Sequence, residues 1–359
     1  MFNRNKPYND LPHLPPLVEV ESKNILKKAI AANKALARMS MCCKQLPNEA
    51  ILYNTLFLKE AKDSSEIENI VTTNDELYQA LSSDRKISDP NTREVLHYMD
   101  ALWRGMKLME KNKVLTSRSF IEIVNTIKEN NEGIRSRPGT TIVNQKTKEV
   151  IYTPPEGIDV LHTLLKNFEE YINVKSDVDP LIMMAIMHYQ FEAIHPFSDG
   201  NGRTGRIINI LYLVLTNLIE HPMLFLSKYI IDHKPEYYSK LKNVTEKNDW
   251  ESWILYMLEA IEETSLHMEK KILAIMDLMS KTKQEIRGKC PSIYSKDLLE
   301  ILFQQPYCKI KFLENAKIAK RLTASKYLQA LEKIGILDSV RVGTEKLYIN
   351  VEFYKLLKD

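Results

Sequence analysis

Glycine is scarce in this chain, ten residues in 359, set against abundant leucine, isoleucine, lysine and glutamate. Glycine supplies the positive-φ corners of tight turns, so the shortage argues for helices. Cysteine is scarcer still. Cys42 and Cys43 are adjacent and cannot readily bridge to each other, and neither they nor Cys290 and Cys308 fall into a C-x-x-C or histidine-rich spacing. That excludes a disulfide frame and a cysteine zinc site, and reads as the reduced thiols of a cytosolic protein. No apolar run is long enough for a bilayer, which takes about 20 residues. The most apolar stretch, 207–219, has 13 residues with two asparagines among them, and reads as a central buried helix. Residues 1–17 lack the apolar core of a signal peptide. The expectation is a soluble cytoplasmic protein with no membrane partner. Internal repeats and low-complexity tracts are also missing.

What is present is ordinary in amount and uneven in placement. Apolar content of 44% and charged content of 27% suit a soluble globular protein, and 359 residues leave room for two or three domains. The net charge is +3, yet residues 281–359 carry 16 Lys/Arg and 9 Asp/Glu, a local +7 that leaves −4 for the rest. A separate basic C-terminal module is a pointer to nucleic acid.

Along the chain, Pro12, Pro15 and Pro16 keep residues 1–20 extended. Helical patterns run from about 22 to 81, break over 84–91, and resume over 92–111. Another covers 116–129, N-capped by Thr116 or Ser117. Residues 140–143 and 149–153 are β-branched runs around a polar turn at 144–148, a hairpin closed by Pro154 and Pro155. Helices are expected over 180–194, 229–241 and 250–262. From about 291 the pattern changes to three short helices, 295–305, 314–322 and 323–335, with Gly335 as a C-cap. A hairpin, 339–342 with 346–350 around Gly343 and Thr344, completes a winged helix-turn-helix. In its third helix Tyr327, Leu328, Leu331 and Ile334 can face inward, leaving Lys326, Gln329 and Lys333 outside. Such a face suits a DNA groove and equally a protein-contact or dimerisation surface.

The chemistry is concentrated in twelve residues, His195-Pro196-Phe197-Ser198-Asp199-Gly200-Asn201-Gly202-Arg203-Thr204-Gly205-Arg206. They combine a proton acceptor, a carboxylate, a glycine-flanked turn and two guanidinium groups, the set that phosphoryl or nucleotidyl transfer needs. Gly200 and Gly202 let backbone N–H groups curl around an anion at a helix N-terminus. Asp199 could hold a hard cation such as Mg²⁺, Arg203 and Arg206 could clamp phosphate oxygens, and His195 could take a proton. Blander readings compete. Residues 200–205 formally match G-x-G-x-x-G with Glu220 as the ribose acid, but 180–194 reads as a buried helix where a dinucleotide fold needs a strand. His188, Glu192 and His195 have i, i+4, i+7 spacing for a metal, but Pro196 should end the helix and turn His195 away, leaving His188 a hydrogen-bonded core residue. An ordinary helical corner with surface arginines would leave the clustering unexplained.

The run resembles the H-P-F-x-[D/E]-G-N-G-R-x-x-R signature of Fic-domain proteins, without a departure. The resemblance implies a mostly α Fic-type helical bundle with a β-hairpin flap, and transfer of AMP from ATP to a Ser, Thr or Tyr hydroxyl of a protein. It makes His195 the general base, Asp199 the Mg²⁺ ligand, Gly200, Asn201 and Gly202 the anion nest, and Arg203 and Arg206 the phosphate ligands. The kinase-like Doc branch departs within G-N-G-R; this chain does not. The hairpin at 140–153 corresponds to the flap that docks a target backbone by strand pairing. Tyr237 and Tyr238 match an adenine-binding position, and where an Asn or Arg follows a few residues later in related proteins this chain has Asn243 and Thr245.

A second resemblance concerns Ser64-Ser65-Glu66-Ile67-Glu68-Asn69-Ile70. On its own, Ser65 followed by Glu68 is a capping box that would start a helix. Beside a Fic signature it matches the inhibitory pattern [S/T]-x-x-x-E-[G/N], with Ser64, Glu68 and Asn69 in the fixed places. Glu68 would pair with Arg206 and deny it to the γ-phosphate, leaving the α-phosphorus misaligned. The expected organisation is an N-terminal helical region 1–112 with the inhibitory helix around 64–70, a catalytic core 113–280, and a winged helix 281–359. The expected activity is an autoinhibited protein adenylyltransferase using ATP and Mg²⁺, with self-modification, DNA contact through 291–350 and homodimerisation left open. The alternatives are a nucleotide-responsive DNA-binding regulator and a bifunctional enzyme that also removes AMP.

Overall fold

The computed structural model describes residues 2–48, 50–82, 89–144, 147–343 and 345–358. In chain order the helices are α1 (Lys23–Cys43), α2 (Ala50–Ile67), α3 (Asn74–Ser82), α4 (Pro90–Asn112), α5 (Ser117–Lys128), α6 (Ile158–Asn173), α7 (Pro180–Ile194), α8 (Asn201–Leu215), α9 (Ser227–Asp232), α10 (Lys234–Lys247), α11 (Trp250–Lys289), α12 (Lys296–Gln304), α13 (Ile310–Asn315), α14 (Arg321–Lys333) and α15 (Val351–Lys358). The strands are β1 (Ile142–Val143), β2 (Val150–Tyr152), β3 (Tyr307–Cys308), β4 (Leu337–Val342) and β5 (Glu345–Asn350). The expected mostly helical architecture is therefore present. Among the described residues no helix is long and apolar enough to cross a membrane.

The chain divides into two units. The first comprises residues 1–37, 63–69 and 97–265. Its centre is α7, started by Asp179, whose carboxylate accepts from Leu181 N (2.8 Å). Nearly every side chain of α7 is buried, as its largely apolar sequence, interrupted by His188, Gln190 and Glu192, requires. Helices α5 and α6 are amphipathic and cover it with one face each: Phe120, Ile123, Val124 and Ile127 from α5, Leu161, Leu164, Leu165, Phe168 and Ile172 from α6. Phe120, Phe168 and Phe191 meet with ring centroids 5.7–5.8 Å apart. Trp253 of α11 donates its indole N–H to Ala185 O (2.7 Å) and ties that helix to α7. Gly105 of α4 permits a close helix approach, since a Cβ there would stand 2.7 Å from Leu211 Cδ1 of α8.

The hairpin is present and shorter than expected, β1 pairing antiparallel with β2 in the register Ile142↔Tyr152 and Val143↔Val150. Residues 145 and 146 of its turn lie outside the described residues. Its root is fixed: Tyr152 donates its hydroxyl to Ala193 O (2.8 Å) and packs with Tyr8 and Phe2 of the extended N-terminal segment.

The second unit comprises residues 38–62, 70–96 and 266–359. The C-terminal part forms a three-stranded antiparallel sheet, order β3-β5-β4, with β3 against α12 and β4 against α14, while α13 packs on those two helices. Its α12 begins where expected, at an N-cap formed by Ser295. Tyr307 of β3 and Tyr354 of α15 both donate hydroxyls to Asp75 Oδ1 of α3 (2.7 and 2.6 Å).

Several boundaries differ from expectation for identifiable reasons. The helix expected over 229–241 is interrupted at His233, because Pro235 has no N–H to continue the ladder. The helix from Trp250 extends far past 262, to Lys289, because neither glycine nor proline occurs between Trp250 and Gly288; it crosses position 280 unbroken. The middle C-terminal helix is Ile310–Asn315, not 314–322, and ends where Lys317 takes φ 56°. The break expected over 84–91 lies mostly outside the described residues, as does Thr344 of the last hairpin turn. A capping box does occur, but at Thr73–Glu76: Glu76 accepts from Thr73 N (2.9 Å) and Thr73 Oγ1 accepts from Glu76 N (3.1 Å). Ser65 instead lies in the last turn of α2, so its capping-box reading fails.

Candidate active site

The signature loop is built by a helix that must stop and another that must start. Pro196 disfavours continuing α7 at the residue before it. His195 accordingly turns left-handed (φ 49°, ψ 59°), its N–H bonded to Phe191 O (3.0 Å), and so leaves the face of His188 and Glu192. Asn201 clips the loop from both sides, accepting from Phe197 N (2.9 Å) and donating to Phe197 O (2.8 Å). Phe197 is buried against Phe191 (6.2 Å). Gly200 takes φ 80°, ψ 10° as the N-cap of α8, a conformation costly for residues with a Cβ. The first intrahelical bond is Thr204 N to Gly200 O (3.0 Å). The amides that precede it stand at the positive end of the helix.

Arg135, which sequence reasoning missed, fixes this loop from outside. It donates to His195 O (2.8 Å), Pro155 O (2.5 Å) and Ile194 O (3.4 Å), and its own N–H bonds Pro196 O (2.9 Å). One buried guanidinium therefore joins the flap root to the end of α7. Burial, followed by the charge of Arg135, pushes His195 down to about 4. Its imidazole is neutral near pH 7, the state a proton acceptor needs.

Asp199 accepts from Gly200 N (2.6 Å), pairs with Lys128 of α5 (2.6 Å) and faces Arg203 (3.7 Å). Burial pushes its carboxyl up, but Lys128, Arg203 and the Gly200 N–H hold it below the usual range. Arg203 is 1% exposed. The metal reading of His188, Glu192 and His195 fails, and no group of three or more His, Cys, Asp or Glu suits a metal among the described residues. Asn209 lies 3.0 Å from His188 Nδ1 and Tyr237 Oη 2.8 Å from Nε2. His188, pushed down to about 3 by burial and then Arg206, is a satisfied core histidine. The dinucleotide reading also fails, since a helix precedes Gly200.

The Ser64–Asn69 segment reaches the same place. Arg206 donates from Nε to Ser64 Oγ (2.8 Å) and from one terminal nitrogen to Ser64 O (2.7 Å) and Glu68 Oε1 (3.2 Å). A Cβ on Gly202 would collide with Glu68 Oε1, so that carboxylate occupies the space beside the nest. Burial disfavours the Arg206 charge, but Glu68, with Tyr98, Tyr237 and Glu192 adding to it, more than offsets that and raises its pKa. Lys234, also missed, donates to Ile67 O (2.7 Å) at the end of α2, where a cation suits the helix dipole. Asn69 follows in the left-handed region (φ 63°). Glu68 therefore stands just past the helix end, not within a helix over 64–70.

The two tyrosines separate. Tyr237 is 3% exposed, in an aromatic cluster with Trp253 and Tyr256, whereas Tyr238 is 46% exposed. Glu68 and Arg206 both act on the Tyr238 hydroxyl. Tyr237 is thus committed to the core beside His188, and Tyr238 is the exposed ring of the pair.

The Fic/DOC family profile matches residues 114–213, and the Fic/DOC family N-terminal profile matches 26–107. A profile described as "Protein adenylyltransferase SoFic-like, C-terminal domain" matches 278–353. Over 112 residues the chain is 31% identical to "Protein adenylyltransferase Fic" of Aedes aegypti, covering 31% of this chain and 21% of that one. The Culex quinquefasciatus protein of the same name is 30% identical over the same coverage. The chain thus spans about a fifth of the length of these curated relatives. Among solved structures, a Fic family protein from Desulfovibrio desulfuricans superposes with a TM-score of 0.57 at 18% identity, covering 94% of this chain and 98% of that one. Fic-1 from C. elegans gives 0.53 at 19%, covering 72% and 74%. With the shared fold, the unbroken signature and three family segments in order along the sequence, the chain belongs to the Fic/DOC family.

Proposed function

We propose that this chain is a protein adenylyltransferase, restrained by Glu68, that transfers AMP from ATP to a side-chain hydroxyl of a protein. The observation that carries the reading is the convergence of neutral His195, the α8 N-terminus, Arg203 and Arg206 on one loop. A ring nitrogen of His195 takes the proton of the acceptor hydroxyl. The oxygen attacks the α-phosphorus, a P–O bond forms, and the bond to the pyrophosphate oxygen breaks. The α8 amides and Arg203 stabilise charge on the phosphates, Arg206 holds the γ-phosphate, and Tyr238 offers its ring to adenine. The donor set fits Mg²⁺: one ionised carboxylate at Asp199, 61% exposed, leaves the remaining positions to water and phosphate oxygens. Mg²⁺ there would neutralise phosphate charge. The β1–β2 hairpin, anchored through Tyr152, would receive the acceptor backbone by strand pairing.

In the restrained state Arg206 is committed to Ser64 and Glu68, so the γ-phosphate lacks its ligand and the α-phosphorus is poorly placed for in-line attack. The same carboxylate lies close enough to act on His195, which supports a second reading in which Glu68 positions water to remove AMP. Incubating Glu68→Gly with α-labelled ATP and a cell lysate tests the first. Label on protein, on the chain itself or on a target, that disappears in Glu68→Gly/His195→Ala supports transfer. No label sinks it. Release of AMP from a labelled target by wild type, but not by Glu68→Gly, supports the second.

A further inference from the structure

The catalytic reading leaves the C-terminal module without a role, and its two sides are unlike. On one side Tyr307 and Tyr354 donate to Asp75, and Tyr78 stacks on Tyr307 at 6.0 Å. On the other, α14 exposes Leu322, Lys326, Gln329 and Lys333. These positions follow i, i+4, i+7, i+11, one continuous stripe of the helix. Ala324, Leu328 and Leu331 occupy the buried face.

The stripe carries no acid. The α14 carboxylate, Glu332, is turned to the strand pair, accepting from Ser339 Oγ (2.5 Å) and Lys346 Nζ (2.9 Å). Those bonds also fix the β4–β5 ribbon against α14 before any partner arrives. Flanking the stripe, Lys317, Lys320 and Arg321 are exposed at its N-terminal end, and Arg341 is exposed on β4.

We infer that the outer stripe of α14 lies in the major groove of B-form duplex DNA, with Lys317, Lys320, Arg321 and Arg341 on flanking phosphates. The inference is independent of the AMP-transfer reading. Leu322 to Lys333 spans about 17 Å of helix, or roughly five base pairs at 3.4 Å per step. The major groove admits an α-helix, and the side chains suit its edges: lysines for guanine, Gln329 for adenine, Leu322 (81% exposed) for a thymine methyl. A protein partner fits less well, because lysine is depleted at protein interfaces and the stripe offers one large apolar side chain. Duplex RNA fits less well again, since its major groove is too narrow for side-chain readout.

Fluorescence anisotropy of the full chain with a labelled mixed-sequence duplex DNA tests this. Four phosphate contacts predict a log–log salt slope near −3.6, or about 150-fold weaker binding at 200 mM than at 50 mM salt. Lys326→Glu/Lys333→Glu should weaken binding at least about tenfold, and Arg321→Ala should reduce the slope by about one. Lys326→Ala/Lys333→Ala replaces the reversal if the latter misfolds by circular dichroism. No binding at 50 mM salt, binding unaffected by either double variant, or equal affinity for duplex RNA would overturn the inference. Capture of a protein through this stripe, with the duplex ignored, would overturn it too.

Discussion

Glu68→Gly is the perturbation whose size follows most directly from the geometry. Glu68 gives Arg206 one charge-assisted contact at 3.2 Å, while Ser64 supplies two further bonds that the substitution leaves in place. Hydrogen bonds to charged groups contribute about 1.5–3 kcal/mol. The Glu68 side chain is 36% exposed, so solvent screening favours the lower end. About 1.5 kcal/mol corresponds to roughly a tenfold rise in the released population, since 1.4 kcal/mol is one decade. Realignment of the α-phosphorus adds to that, because a 1 Å displacement can cost about 100-fold. Initial rates of labelled-AMP incorporation, wild type against Glu68→Gly at saturating ATP, should therefore differ by between about 10- and 1,000-fold. The experiment needs His195→Ala alongside to set the background. Equal rates in wild type and Glu68→Gly, with both abolished by His195→Ala, would refute the brake.

Ser64→Ala removes one neutral-acceptor bond to Arg206 and should raise incorporation by a smaller factor, about two- to tenfold for roughly 0.5–1.5 kcal/mol. The acid limb of kcat/KM for Glu68→Gly should fall at or below about pH 4, not at 6.5, because burial and Arg135 push His195 down to about 4 and the variant removes the Glu68 charge that opposes them. His195 binds fewer protons folded than unfolded across that window, so its contribution to stability increases as pH rises from about 4 to 6.5. Glu192 works oppositely: burial raises it to about 7, so its cost to stability grows as pH rises from about 4.5 to 7. Glu192→Gln should therefore raise the thermal midpoint at pH 8 more than at pH 5. Asp199→Ala should lower transfer about 100-fold or more, with no rescue by added Mg²⁺, in a titration of rate against metal concentration.

The site was legible in the sequence where its parts are contiguous. His195 to Arg206 is one loop and one helix start, so the residues that act together also lie together. Arg135, Lys128 and Lys234 reach it from other elements, and a solitary basic residue carries no local pattern that marks its destination. The Glu68–Arg206 contact became an expectation only through the family pattern. Local spacing alone pointed to a capping box, and S-x-x-E at 65–68 resembles T-x-x-E at 73–76. Burial decided between them: Ser64 and Ser65 are both fully buried at the end of α2, whereas Thr73 opens an exposed turn. Element boundaries followed the same rule. Pro235 marked the α9–α10 break and was overlooked, and the length of α11 follows from the lack of any breaker before Gly288. The short α15 was missed although Asn350 caps it, accepting from Phe353 N (3.3 Å), with Glu352 in its first turn.

The direct test of AMP transfer is to supply Glu68→Gly with ATP labelled at the α-phosphate in one reaction and at the γ-phosphate in another. The geometry predicts His195-dependent protein labelling from the α-label alone, with pyrophosphate released. Labelling from the γ-phosphate, or α-labelling that persists in Glu68→Gly/His195→Ala, would contradict it.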